Sequence, residues 1–121
     1  MSSAGGAVAL VILLIGSGIG DSLGFVHAAR VWEGGRSPLR EIAHSGLWFS
    51  GGIGLYWLAL YWARQLGIVS PGLQTVLWFA VTIVGVAVIT GEFPQWRLSD
   101  QILAGVVMIS MAALLFRVSS A

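Results

Sequence analysis

The sequence predicts an all-α protein, a bundle of four transmembrane helices, and three observations carry that expectation. Of its 121 residues 57% are hydrophobic and only 9% charged, where a soluble domain carries charge on about one residue in four. A soluble chain this short could not hide so much apolar surface in its core, so that surface is expected to face lipid. The apolar residues also fall into four stretches separated by short polar punctuation, each near the roughly 20 residues that a membrane crossing needs. One integral membrane domain follows from the length.

The first span is expected at 7–31. It begins AVALVILLIG and continues through GSGIGDSLGFVHAARV, too long and too weakly basic at its start for a cleaved signal peptide, so it is read as mature structure. The loop WEGGRSPLRE holds two arginines, two acids, a Gly pair and Pro38, a turn-forming composition. A second span follows at 42–65. The segment LGIVSPG supplies the next turn, with Pro71 and Gly72 opening a third span at 72–90. After GEFPQWRLSD the fourth span is expected at 101–117, with Ser99 or Asp100 as its N-cap.

Four spans put both termini on one side, so arginines per side give the orientation. Arg30, Arg36, Arg40 and Arg97 stand against Arg64 and Arg117. This modest bias favours termini outside and leaves room for insertion in both orientations. The short loops fit a prokaryotic inner membrane.

The ionisable side chains are six Arg, two Asp, three Glu and two His, with no Lys and no Cys. No basic patch supports nucleic-acid binding, and the lack of Cys excludes disulfides, thiolate metal sites and thiol nucleophiles. Asp21 is the one acid inside an expected hydrocarbon segment. Such a group costs about 2.5 to 3.5 kcal/mol at a helix centre, so it calls for a partner, a water-filled cavity or a proton. A carboxyl removed from water holds its proton more readily, which suits a proton-coupled site; a place near the headgroups, or a bond to a neighbouring Ser, would explain it structurally.

Gly16, Gly20 and Gly24 form two consecutive GxxxG spacings around it, with Ser17, Gly24 and Ala28 on nearly the same face as Asp21. Small residues so spaced let membrane helices approach closely. Gly46, Ser50 and Gly54 make a second small stripe, Gly105 with Ala112 a third, and each fits either packing within the chain or an oligomer interface. Of the six tryptophans, Trp32, Trp48, Trp62 and Trp96 sit near span ends and read as an interfacial belt. Trp57 and Trp78 lie deeper, where an indole face can line a pocket for an apolar cation or simply add bulk. His27 and His44 share a side and could ligate a haem if both rings turned inward. There is no Ser with His and acid in register, no HExxH and no P-loop, so no enzyme is expected.

From the second span onward the order of residues resembles the small multidrug resistance family, four-helix members of the drug/metabolite transporter superfamily. The segment VSPGLQTVLWFAV is similar to that family's turn and third helix and places Gly72 and Trp78 on matching positions. WRLSDQILAG sets Arg97, Leu98 and Gly105 on family-like positions, and Ala112 takes the second small position of the dimerising fourth helix. The ending ARVWEGG suggests Arg30, Glu33 and Gly34 as counterparts in the first span.

One departure bears on mechanism. The family's first-helix Glu, shared by proton and substrate, falls on Ser22, one residue from Asp21, and its pocket tyrosines fall on Thr75 and Leu55. The resemblance implies a homodimer, possible in antiparallel form, that exports a hydrophobic cation or small metabolite in exchange for protons. Asp21, Trp78, Trp57, Ser22 and Thr75 would form the site and Gly105 and Ala112 the dimer interface, with no cofactor. The alternatives are a non-catalytic small subunit of a larger membrane complex, supported by the abundance of small and aromatic residues, and a bis-His haem anchor.

Overall fold

The computed structural model describes residues 3–120, and among them the chain is all helical, with no strand. The helices are α1 (Ser3–Ala29), α2 (Pro38–Gln65), α3 (Pro71–Thr90) and α4 (Leu98–Ser120), with a 3-10 turn at Phe93–Gln95. Two of them, over Ala4–Ala29 and Pro71–Thr90, are long and apolar enough to cross a membrane.

Local chemistry sets the ends. Ser37 and Ser70 accept from the backbone N–H groups of Arg40 and Leu73, and the proline after each serine starts its helix at the one position where a missing N–H is harmless. This cap opens α2 at Pro38, before the apolar run at Ile42. Gly91 closes α3 with φ +64°, a left-handed conformation that glycine adopts without steric penalty. The expected cap of α4 is corrected. The Arg97 carbonyl accepts from the N–H groups of Asp100 and Gln101, so Ser99 and Asp100 lie in the first turn. The 3-10 turn delivers the chain to helical geometry early, and the Gln101 side chain ties back to the Phe93 carbonyl at 2.8 Å.

α1 is the central element. It packs along α2 and crosses α3, while α4 lies against α3. The α1–α2 seam repeats every seven residues, Leu10, Ser17 and Gly24 on one helix and Ser45, Gly52 and Ala59 on the other, all buried. A seven-residue repeat keeps two helices facing each other at a shallow angle. The antiparallel register is tied by Ser17 Oγ donating to the Gly52 carbonyl and Ser45 Oγ donating to the Gly24 carbonyl, both at 2.8 Å. Leu10 completes the seam by packing with Ala59 and Ala63. Hydrogen bonds between helices in apolar surroundings contribute about 0.6 to 2 kcal/mol each.

Glycine makes the approach this close. A Cβ on Gly20 would lie 2.9 Å from the Gly52 Cα, and one on Gly52 would collide with the Asp21 carboxylate. The α1–α3 crossing repeats the device, since Gly18 abuts Val81 and Gly85 abuts the Ser22 hydroxyl. The stripe at Gly46, Ser50 and Gly54 takes no part, for a Cβ on either of its glycines would meet nothing within 4 Å. Gly52 selects the packing face of α2 because it alone admits Gly20 and Asp21.

The distribution of polarity is inverted. The fully buried larger side chains are Asp21, Ser17 and Ser22, whereas thirty-one large hydrophobic side chains among the described residues are exposed. Polar atoms meet one another inside, and the apolar surface points outward.

Candidate functional site

Asp21 sits where α1, α2 and α3 converge, and it is 0% exposed. Gly20 and Gly52 bring α2 against it, and the Gly18–Gly85 crossing brings α3 within reach of a long side chain. That side chain is Trp78, whose Nε1–H donates to Asp21 Oδ2 at 2.6 Å. The second oxygen, Oδ1, faces Gly52 and has no hydrogen-bond partner among the described residues. A buried oxygen without a partner is a costly feature. Thr82, one turn beyond Trp78, carries the other such atom, its hydroxyl oxygen.

Behind this contact lies an apolar groove of about 830 Å³ between α3 and α4, within the size range of small-molecule sites. Trp78, Phe79, Thr82 and Phe25 form part of its wall, Gly105 faces it from α4, and Glu92 stands where the chain leaves α3. None of the described residues lining it is basic. One indole thus belongs to two environments, its ring in the groove wall and its N–H on the carboxylate.

The other expected site residues are dispersed. Ser22 is buried beside Asp21 in sequence but donates to the Gly18 carbonyl at 2.5 Å within its own helix. Trp57 is 69% exposed on the outside of α2, away from the groove. Thr75 is exposed and donates to the Pro71 carbonyl. Ala112 is exposed on α4. The residues that sequence reasoning missed are Gly52 and Thr82: the seven-residue spacing Ser45, Gly52, Ala59 signals the first, and the one-turn spacing from Trp78 the second.

A separate polar cluster occupies the corner where α1 ends and α2 begins. His27 Nδ1–H donates to Glu41 Oε2 at 2.7 Å, and Arg36 reaches Glu41 Oε1 at 3.3 Å. The bond from His27 is the chief influence holding the Glu41 carboxyl below the usual glutamate range; burial opposes it and Arg36 adds to it. The His27 and His44 rings meet edge to face with centroids 5.0 Å apart. Haem ligation needs the two imidazoles on opposite faces of a porphyrin, whereas here the rings are in contact with each other.

Fold and site together define a class, a small helical protein with two membrane-length apolar helices and a fully buried carboxylate where three helices meet. Compared with models of known families, curated proteins and solved structures, the chain matches none.

Proposed function

We propose that this chain is a small membrane transporter of the drug/metabolite type, exchanging protons for a hydrophobic cation at Asp21 and working as a homodimer in a prokaryotic inner membrane. The observation that carries the reading is the Trp78–Asp21 hydrogen bond, which links a buried carboxylate to the wall of an apolar groove. An outward apolar surface over a polar interior suits lipid as the surrounding solvent.

In this mechanism a lipophilic cation enters the groove, drawn by Glu92 and by the lack of basic side chains, and lies on the Trp78 indole. Cation–π attraction of about 0.5 to 2 kcal/mol holds it there. As the indole leaves Asp21, the carboxylate exchanges its proton for the cation. Proton and substrate compete for one negative charge, and that competition couples their fluxes. Ala112, exposed on the apolar outer face of α4, supplies the contact between protomers, while Gly105, its expected companion, faces the groove.

The test is a titration of the protein in mild detergent with tetraphenylphosphonium, following proton release in unbuffered solution. Saturable binding with proton release is the expected result, and binding without it overturns the coupling. Trp78→Phe removes the N–H and shrinks the π face. Its affinity for the cation is expected to fall about 3- to 30-fold while proton release persists, because Asp21 is intact. Saturable binding by this variant without proton release would place the exchangeable proton elsewhere.

The same open groove favours a second reading, a small subunit whose larger partner covers α3 and α4. Copurification from the native membrane separates the two: a homodimer supports the transporter, and a stoichiometric larger partner supports the subunit.

A further inference from the structure

We propose that His27, Glu41 and His44 form a binding site for a divalent transition-metal ion of the zinc class, which clamps the end of α1 to the start of α2. One donor atom from each residue lies within 4.8 Å of the other two. Two imidazoles and a carboxylate are a ligand set that zinc accepts, with a fourth position left for water. Donors about 2.1 Å from a tetrahedral zinc lie ~3.4 Å from one another, so side-chain rotations of about an ångström close the cluster around an ion.

The cluster is assembled by the fold. The sequence E-I-A-H places Glu41 and His44 three residues apart on α2, neighbours on one face of the helix. His27 follows Gly24 by nearly one turn on α1 and meets Glu41 at the rung beyond the Gly24–Ser45 bond. The two-glycine seam thus holds the ligands from both helices at a fixed separation. His27 lies in the last turn of α1, where carbonyl groups carry partial negative charge and favour a cation.

Arg36 does not occupy the ion's position. It holds Glu41 Oε1 and is tied at Nε to Glu33 at 3.3 Å, which orients the carboxylate and leaves Oε2 for the metal. The ion replaces the hydrogen now between His27 Nδ1 and Glu41 Oε2, and the imidazole carries that hydrogen on Nε2 instead. The site lies outside the groove and is independent of the transport mechanism.

The test uses the full chain, without a polyhistidine tag, stripped with chelator in mild detergent and titrated with Zn²⁺ by calorimetry, with Co²⁺ as a spectroscopic probe. One ion per chain is expected, with visible ligand-field bands for Co²⁺ and no competition from Mg²⁺, which prefers oxygen ligands. His44→Ala leaves the His27–Glu41 bond in place, so the corner still folds, and should weaken zinc binding at least ~100-fold and remove the cobalt bands. Glu41→Gln should weaken it comparably. No saturable binding, or binding that survives both substitutions unchanged, overturns the proposal.

Discussion

Asp21→Asn is expected to abolish proton release on binding tetraphenylphosphonium and to weaken that binding by ~100-fold or more. The estimate follows from the cost of breaking a buried charge pair, about 3 to 5 kcal/mol, at about 1.4 kcal/mol per tenfold in affinity. Asparagine has nearly the same shape, and its side-chain oxygen still accepts from Trp78 Nε1, so the bond now present at 2.6 Å can persist. The substitution therefore removes a charge without removing a contact. Because Asp21 is sealed between Gly52 and Trp78, the variant is expected to fold. Its melting behaviour in detergent should match the parent while its ligand response disappears. Retained proton release would sink the assignment of Asp21 as the coupling carboxylate.

Gly52→Val should damage the fold itself. A side chain there would collide with the Asp21 carboxylate, a Cβ at Gly20 being already excluded from the opposite direction at 2.9 Å. Overpacking usually costs about 1 to 3 kcal/mol. Here the obstacle is backbone as well as side chain, so the two helices must separate and lose the Ser17–Gly52 and Ser45–Gly24 bonds. A loss of about 3 kcal/mol or more is expected, which for a chain of this size lowers the melting temperature by more than about 10 °C. Gly46→Val is the matched control, because a Cβ there meets nothing within 4 Å, and it should melt like the parent. Equal melting of the two variants would refute the seven-residue register of α1 and α2.

These expectations show which parts of the site the sequence made legible. Asp21 stood out because a lone acid in an apolar stretch demands a partner, and Trp78 because of its depth, yet nothing in their separation of 57 residues announced that they touch. The GxxxG spacing around Gly20 marks a close-approach surface, and Gly20 meets Gly52. The same four-residue spacing on α2 points to Gly46, Ser50 and Gly54. α2 instead presents Ser45, Gly52 and Ala59, which follow a period of seven. Both patterns are present in a glycine-rich helix, and only the partner's shape selects between them. His27 and His44 were paired in the sequence, but their third member was not, since Glu41 looked like one of several loop charges.

Composition and periodicity by themselves determined the helical class and the number of long helices among the described residues, whose ends fall up to four residues from the expected limits. Those properties are local: serine caps, prolines at first positions and apolar runs act within a few residues of one another. The tertiary structure alone decided which face of each helix is buried, that a tryptophan satisfies one carboxylate oxygen and leaves the other bare, and that two histidines and a glutamate converge at one corner. Such facts depend on helix rotation and register, which are set by where backbones can approach most closely. A glycine on one helix specifies that approach only when the other helix brings its own glycine to the same height.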